Sequence, residues 1–115
     1  KIIPVNYKLL TPAEDDAVEM YETKSIDLSA RGMKIVLINP LDIGDKLMVF
    51  FELEIKQKVF NKFKLNAQVI RHKIKKIDSK NLIYQAGIEF LDISRHEQDK
   101  IMAFIFKNMT KHLRI

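Results

Sequence analysis

Short runs in which apolar and polar residues alternate, separated by turn formers, fill the chain from Ile2 to Phe90. Period-two alternation places every second side chain on one face, the pattern of a half-buried strand. Residues 2–10 open with such a run, and Thr11-Pro12-Ala13-Glu14-Asp15-Asp16 breaks it. Residues 17–25 form a second run, leading into a polar turn around Asp27. Residues 32–38 form a short apolar third, ended by Asn39-Pro40, since proline forces an extended or turn geometry on its predecessor. After the turn Asp42-Ile43-Gly44-Asp45, residues 46–55, 63–74 and 82–90 complete six strands. Residues 75–81 read as a polar, mobile link between the last two. Six short strands with turn signals between them predict an antiparallel sheet closed into a barrel.

The end of the chain changes period. Ser94-Arg95-His96-Glu97 is a capping box, in which each side chain satisfies an amide at a helix start. Ile101, Phe104, Ile105, Met109 and Leu113 recur at helical spacing, predicting one amphipathic helix over 94–113. Its apolar stripe is expected to pack on the mouth or a flank of the barrel, as core rather than as a ligand platform. The basic residues near its end suit the helix dipole without further purpose.

Composition narrows the chemistry. With 115 residues, 47% of them apolar, the chain is long enough for one domain with one core. Cysteine is absent, which excludes disulfides and thiolate metal sites and fits a reducing cytoplasm. No apolar run is long enough to span a bilayer, and no signal peptide is expected. The chain begins without Met, so a fragment or trimmed form is expected. The three histidines, His72, His96 and His112, do not pair at ligand spacing. The three glycines, at 32, 44 and 87, form no phosphate-cradling motif. Ser29 has no histidine near it in sequence, so no enzymatic activity, metal or cofactor is expected.

The net charge of +5 is unevenly spread. Acids cluster at Glu14, Asp15, Asp16, Glu19 and Glu22, whereas residues 55–77 contain none and carry eight lysines and arginines. This asymmetry suits an anionic partner, although lysine is also the default exposed residue of a strand. Phe60 and Phe63, interleaved with lysines, leave single-stranded nucleic acid as a lesser reading, disfavoured by 9% aromatics and no RNA-binding signature.

The candidate site is Asp27-Leu28-Ser29-Ala30-Arg31-Gly32, a D-x-S-x-x-G pattern between two strands. Turn chemistry accounts for each residue singly: Asp and Ser side chains bond nearby amides, and Gly tolerates positive φ. The set, however, resembles the second signature of PilZ domains. The likeness continues through Gly44-Asp45 before a strand, Val69-Ile70-Arg71 along a long strand, Gly87-Ile88-Glu89-Phe90 and the closing helix. The resemblance implies a mainly β, six-stranded Greek-key barrel with a C-terminal helix, as one domain over 1–115 with the barrel in 1–91. It also implies a cytoplasmic regulatory receiver of cyclic di-GMP in bacterial second-messenger signalling, with another domain or protein as its output target. Asp27, Ser29 and Gly32 match the family's binding positions; Arg31, Arg71 and Lys1 are further candidate contacts. The family's other signature, R-x-x-x-R, has no counterpart before residue 27, where the basic residues are Lys1, Lys8 and Lys24. Either the chain starts just after those arginines, the favoured expectation, or Lys1 stands at the second one in a degenerate site. Lysine lacks the planar fork of arginine, so weak binding by this stretch alone is expected. The alternative function is a divergent PilZ module that contacts proteins and binds no nucleotide.

Overall fold

In a computed structural model, residues 2–10, 19–37 and 40–113 are described, with backbone only from 110 onward. Six strands close on themselves: β1 (Ile3–Leu9), β2 (Tyr21–Leu28), β3 (Gly32–Leu37), β4 (Lys46–Lys56), β5 (Val59–Lys76) and β6 (Leu82–Leu91). The helix α1 (Arg95–Leu113) follows. Every pairing is antiparallel, and the order around the barrel is β1-β2-β3-β6-β5-β4. Only the β3–β4 connection skips neighbours, so β4 closes on β1 and β6 on β3, the Greek-key swap expected of the family.

Alternation decides which face each residue takes. On β1, Ile3, Val5 and Tyr7 are buried and Pro4 and Asn6 are exposed. On β4, Leu47, Val49, Phe51 and Leu53 point inward, and on β5 so do Phe63, Leu65, Ala67 and Val69. Phe51 stacks on Phe63 at 4.9 Å between ring centroids and lies 6.1 Å from Phe90. Phe63 is therefore core, which leaves Phe60 as the exposed aromatic of the two that suggested nucleic acid. Burial raises the Tyr7 phenol above its ordinary pKa, and the charge of Glu19 beside Tyr21 does the same there.

The capping box forms as expected: Ser94 Oγ accepts from the Glu97 amide at 3.1 Å, and Glu97 Oε1 accepts from the Ser94 amide at 3.2 Å. Ile101 and Phe104 are buried and Ile105 is partly so. Met109, expected on that face, is instead exposed, because α1 packs chiefly on β4 and its buried stripe ends at Ile105. The Lys107 ammonium donates to the Ile55 carbonyl at 2.8 Å, tying the helix to the end of β4.

Three boundaries differ from expectation. β2 runs on through Asp27 and Leu28, so Asp27 is a strand residue and the turn is Ser29-Ala30-Arg31. β5 has eighteen residues, since it starts at Val59 behind a tight turn with Lys58 at φ 63° and continues through Lys75 and Lys76. The turn after it is ordered by Asp78, whose carboxylate accepts from the Lys80 and Asn81 amides at 2.8 and 2.9 Å. Those bonds hold the Asp78 carboxyl below its usual range, the Lys80 amide contributing most. The break at 11–16, the start of the second run at 17 and the end of the third at 38 lie outside the described residues.

Candidate functional site

Two β-bulges define the site. Ser25 pairs with Ile35 and Asp27 with Lys34, so Ile26 is an extra residue on β2. Ser25 faces the core, and regular alternation would return Asp27 to the core as well. The inserted Ile26 re-aims Asp27 to the outer wall, where it is exposed. The Ser25 hydroxyl donates to the Asp27 carbonyl at 3.0 Å and fastens the bulge from inside. β5 repeats the device. Val69 is buried opposite Ile88, Arg71 pairs with Gly87, and the extra residue is Ile70. Arg71 thereby faces outward instead of into the core.

The ladders place these residues in one row across the outer wall. Asp27 pairs with Lys34, Lys34 with Gly87, and Gly87 with Arg71. An open cavity of about 760 Å³ covers the row and is lined by Asp27, Ser29, Arg31, Gly32, Lys34 and Arg71, among others. That volume falls within the usual range for small-molecule sites. Asp27, Ser29, Gly32, Arg31 and Arg71, scattered over 45 positions of sequence from 27 to 71, thus share one cavity. Lys1 lies outside the described residues.

Each residue's duty follows from its bonds. Ser29 Oγ accepts from the amides of Arg31 at 3.3 Å and Gly32 at 3.2 Å and donates to the Gly32 carbonyl, while the Ser29 amide donates to that carbonyl at 2.9 Å. The hydroxyl is occupied by its own turn. Gly32 does not take positive φ, contrary to the sequence expectation; among the described glycines only Gly44 does, at 97°. Gly32 is needed because a Cβ there would be driven into the Ile88 carbonyl oxygen and would lie 3.2 Å from the Glu89 Cα. The Arg31 carbonyl accepts from the Phe90 amide at 2.7 Å, and its side chain stands exposed at the cavity edge.

Asp27 and Arg71 differ from these. The Asp27 carboxylate makes no hydrogen bond or ion pair with the described residues, although Lys34 sits opposite; the one ion pair among them joins Lys62 to Glu52. Arg71 is likewise unpaired, and its side chain lies over Gly87, where a Cβ would come 3.3 Å from Nε and 3.6 Å from Cβ of Arg71. Gly87 is thus the bed on which the guanidinium rests. The Gly44-Asp45 turn supports the same bulge: the Gly44 amide donates to the Val69 carbonyl at 2.8 Å, and the Val69 amide to the Asp45 carbonyl at 2.9 Å. Both backbone groups of the residue before Ile70 are therefore held by that turn.

Sequence reasoning missed Lys34, Lys73 and Glu89, which also line the cavity. For Lys34 the available signal was alternation, since it lies between the inward-facing Met33 and Ile35. No group of His, Asp and Glu able to hold a metal occurs among the described residues. No helix among them is long and apolar enough to cross a membrane.

The protein is a small β-barrel domain whose outer wall carries a cavity framed by the D-x-S-x-x-G stretch, a bulged V-x-R strand and a G-I-x-F strand. The family model described as PilZ domain matches residues 4–107, and the chain belongs to that family of cyclic di-GMP receptors. The inhibitor of motility MotI/DgrA of Bacillus subtilis is similar, with a TM-score of 0.69 at 21% identity over 96% of this chain. MrkH of K. pneumonia in its apo state gives 0.73 at 15% identity over 96% of this chain. The chain spans about half the length of each, 49% and 48% respectively. The PilZ domain of Escherichia coli YcgR, solved with c-di-GMP, gives 0.62 at 19% identity and is covered to 96%, with all of this chain aligned. These identities carry the fold alone. No curated protein matches in sequence.

Proposed function

We propose that this chain is a cyclic di-GMP-binding regulatory domain of a bacterial signalling protein, acting in the cytoplasm as a binding module and not as an enzyme. The observation that carries the reading is the row Asp27–Lys34–Gly87–Arg71 beneath one cavity, with both ends turned outward by bulges. A guanine offers N1–H and N2–H donors on one edge, and an unengaged carboxylate is a fitting acceptor for both. Arg71 brings a planar fork that can stack on guanine, bond its O6 and N7 or clasp a phosphate. Lys34 and Lys73 add positive field for the two phosphates.

The test is calorimetric titration of cyclic di-GMP against the protein in its full natural context and against the 115-residue chain. Saturable binding is expected in the former and weaker binding in the latter, which has no R-x-x-x-R before residue 27. Asp27→Ala removes a charged acceptor with about 2 kcal/mol of interaction, roughly thirtyfold in affinity, and leaves stability unchanged because the Asp27 carboxylate bonds none of the described residues. Absence of heat at micromolar protein in both forms would reject the proposal. One observation favours a second reading, a protein-binding module without nucleotide: Ser29 and Gly32 are fully explained by the turn and by the Ile88 carbonyl. Absence of cyclic di-GMP binding by the folded protein would favour it.

A further inference from the structure

The β5–β6 hairpin outruns the barrel. β4 leaves β5 at the Lys46–Gln68 pair, and β3 leaves β6 at Leu37–Tyr84. Among the described residues, β5 and β6 pair beyond these points only with each other, as far as Lys76–Leu82. A two-stranded ribbon has no sheet neighbours to bury its side chains and is marginal by itself. Its end nonetheless carries large aliphatics: Ile74, Ile77 and Leu82 are 56%, 59% and 52% exposed. Around them stand Lys75, Lys76 and Lys80, all exposed and none in an ion pair with the described residues. The one acid, Asp78, turns its carboxylate onto the turn's own amides and the Asn81 side chain, so it offers no counter-charge.

We propose that this tip is a membrane-docking element that inserts Ile74, Ile77 and Leu82 into the interface of an anionic bilayer while its lysines engage the headgroups. The charge is complementary to such a surface, and each lysine has a flexible stem that lets aliphatic carbons lie low and the ammonium remain wet. From Tyr84, the last β6 residue paired with β3, the ribbon runs on to Leu82, roughly 7 Å, a depth that amphipathic elements occupy in the headgroup region. The chemistry fits lipid better than the other anionic surfaces. Residues 73–83 contain no aromatic side chain, so no base can stack there, and they lack the tryptophan, tyrosine and arginine anchors of protein hot spots. The apolar groups sit on a projecting end, which suits a soft plane rather than a pocket. The inference is independent of nucleotide binding.

The chain contains no tryptophan, so Ile77→Trp is a unique reporter, and Ile43→Trp, at a 63% exposed position on the cavity rim, is its control. Vesicles of phosphatidylcholine with one-third phosphatidylglycerol are compared with pure phosphatidylcholine. Emission from Ile77→Trp shifts to the blue with anionic vesicles only, the control stays red, and the parent chain co-sediments with the same vesicles. Adding Lys75→Glu and Lys76→Glu weakens the association at least tenfold, and so does high salt. Three results overturn the proposal. One is no shift at lipid excess. Another is blue emission before lipid is added to the complete protein, which would make the tip an intramolecular seam. The third is salt-sensitive retardation of a single-stranded oligonucleotide without vesicle binding, which would make it a nucleic-acid contact.

Discussion

Gly32 and Gly87 sit on neighbouring strands, and substituting each by alanine separates the fold from the site. At Gly32 the new methyl meets only backbone: the Ile88 carbonyl oxygen well inside contact, the carbonyl carbon at 3.1 Å and the Glu89 Cα at 3.2 Å. Backbone in a closed barrel cannot rotate aside, so β3 and β6 must part at the Gly32–Glu89 pair. The strain belongs at the upper end for overpacking, about 3 kcal/mol. For a domain of this size 1 kcal/mol moves Tm by about 4 °C, so Gly32→Ala lowers it by roughly 12 °C. At Gly87 the methyl meets the Arg71 side chain at 3.3 Å, which yields by a few tenths of an ångström. Gly87→Ala therefore keeps Tm within about 3 °C and lowers cyclic di-GMP affinity about fivefold, because the guanidinium loses its bed. Circular-dichroism melts and titration calorimetry read the two effects. A Gly32→Ala protein that melts within about 3 °C of the parent would refute the close-approach reasoning.

Two further outcomes follow from the hydrogen bonds. Ser29→Ala removes the acceptor for the Arg31 and Gly32 amides and costs about 1 kcal/mol, or about 4 °C in a melt; unchanged stability with lost ligand binding would show that the hydroxyl serves the ligand rather than the turn. Asp78 is held below its ordinary carboxyl value, so its contribution to the hairpin turn is present above that ordinary value and is lost as pH falls through the depressed one. The amide resonances of Lys80 and Asn81 should report that transition by NMR, and titration at the ordinary carboxylate value would contradict the bonding described.

The frame was legible because two local codes were clean. Alternation on β1 and β4 located the inward residues, and Ser94 with Glu97 located the start of α1. β5 was misjudged at both ends for opposite reasons. Its first residues pair with the end of β4 behind a turn at Lys58 that has no glycine to announce it, and its last residues extend past the barrel, where every side chain is exposed and the alternation between core and solvent gives out. Met109 kept the helical period but lay beyond the reach of the barrel surface. The reason for Gly32 was also hidden, because a close approach of β6 depends on a carbonyl 56 positions away.

The bulges explain why resemblance could group Asp27 with Arg71 where periodicity could not. A strict period of two would send Asp27 and Arg71 inward with Ser25 and Val69, to places where an unpaired charge is prohibitively costly. Sequence reasoning avoided that conflict at Asp27 by assigning it to a turn. The barrel resolves it by inserting one isoleucine before each charge, Ile26 and Ile70, and leaving both isoleucines about 40% exposed, at 38% and 41%. Exposing two large aliphatics opposes folding, so the arrangement is a local loss accepted where two charges must reach one outer wall. Deleting Ile26 restores regular register and turns Asp27 toward the core, so it should damage folding far more than Asp27→Ala does. The inner face of each strand thus answers to packing alone, and the outer row from Asp27 to Arg71 is free to answer to a ligand.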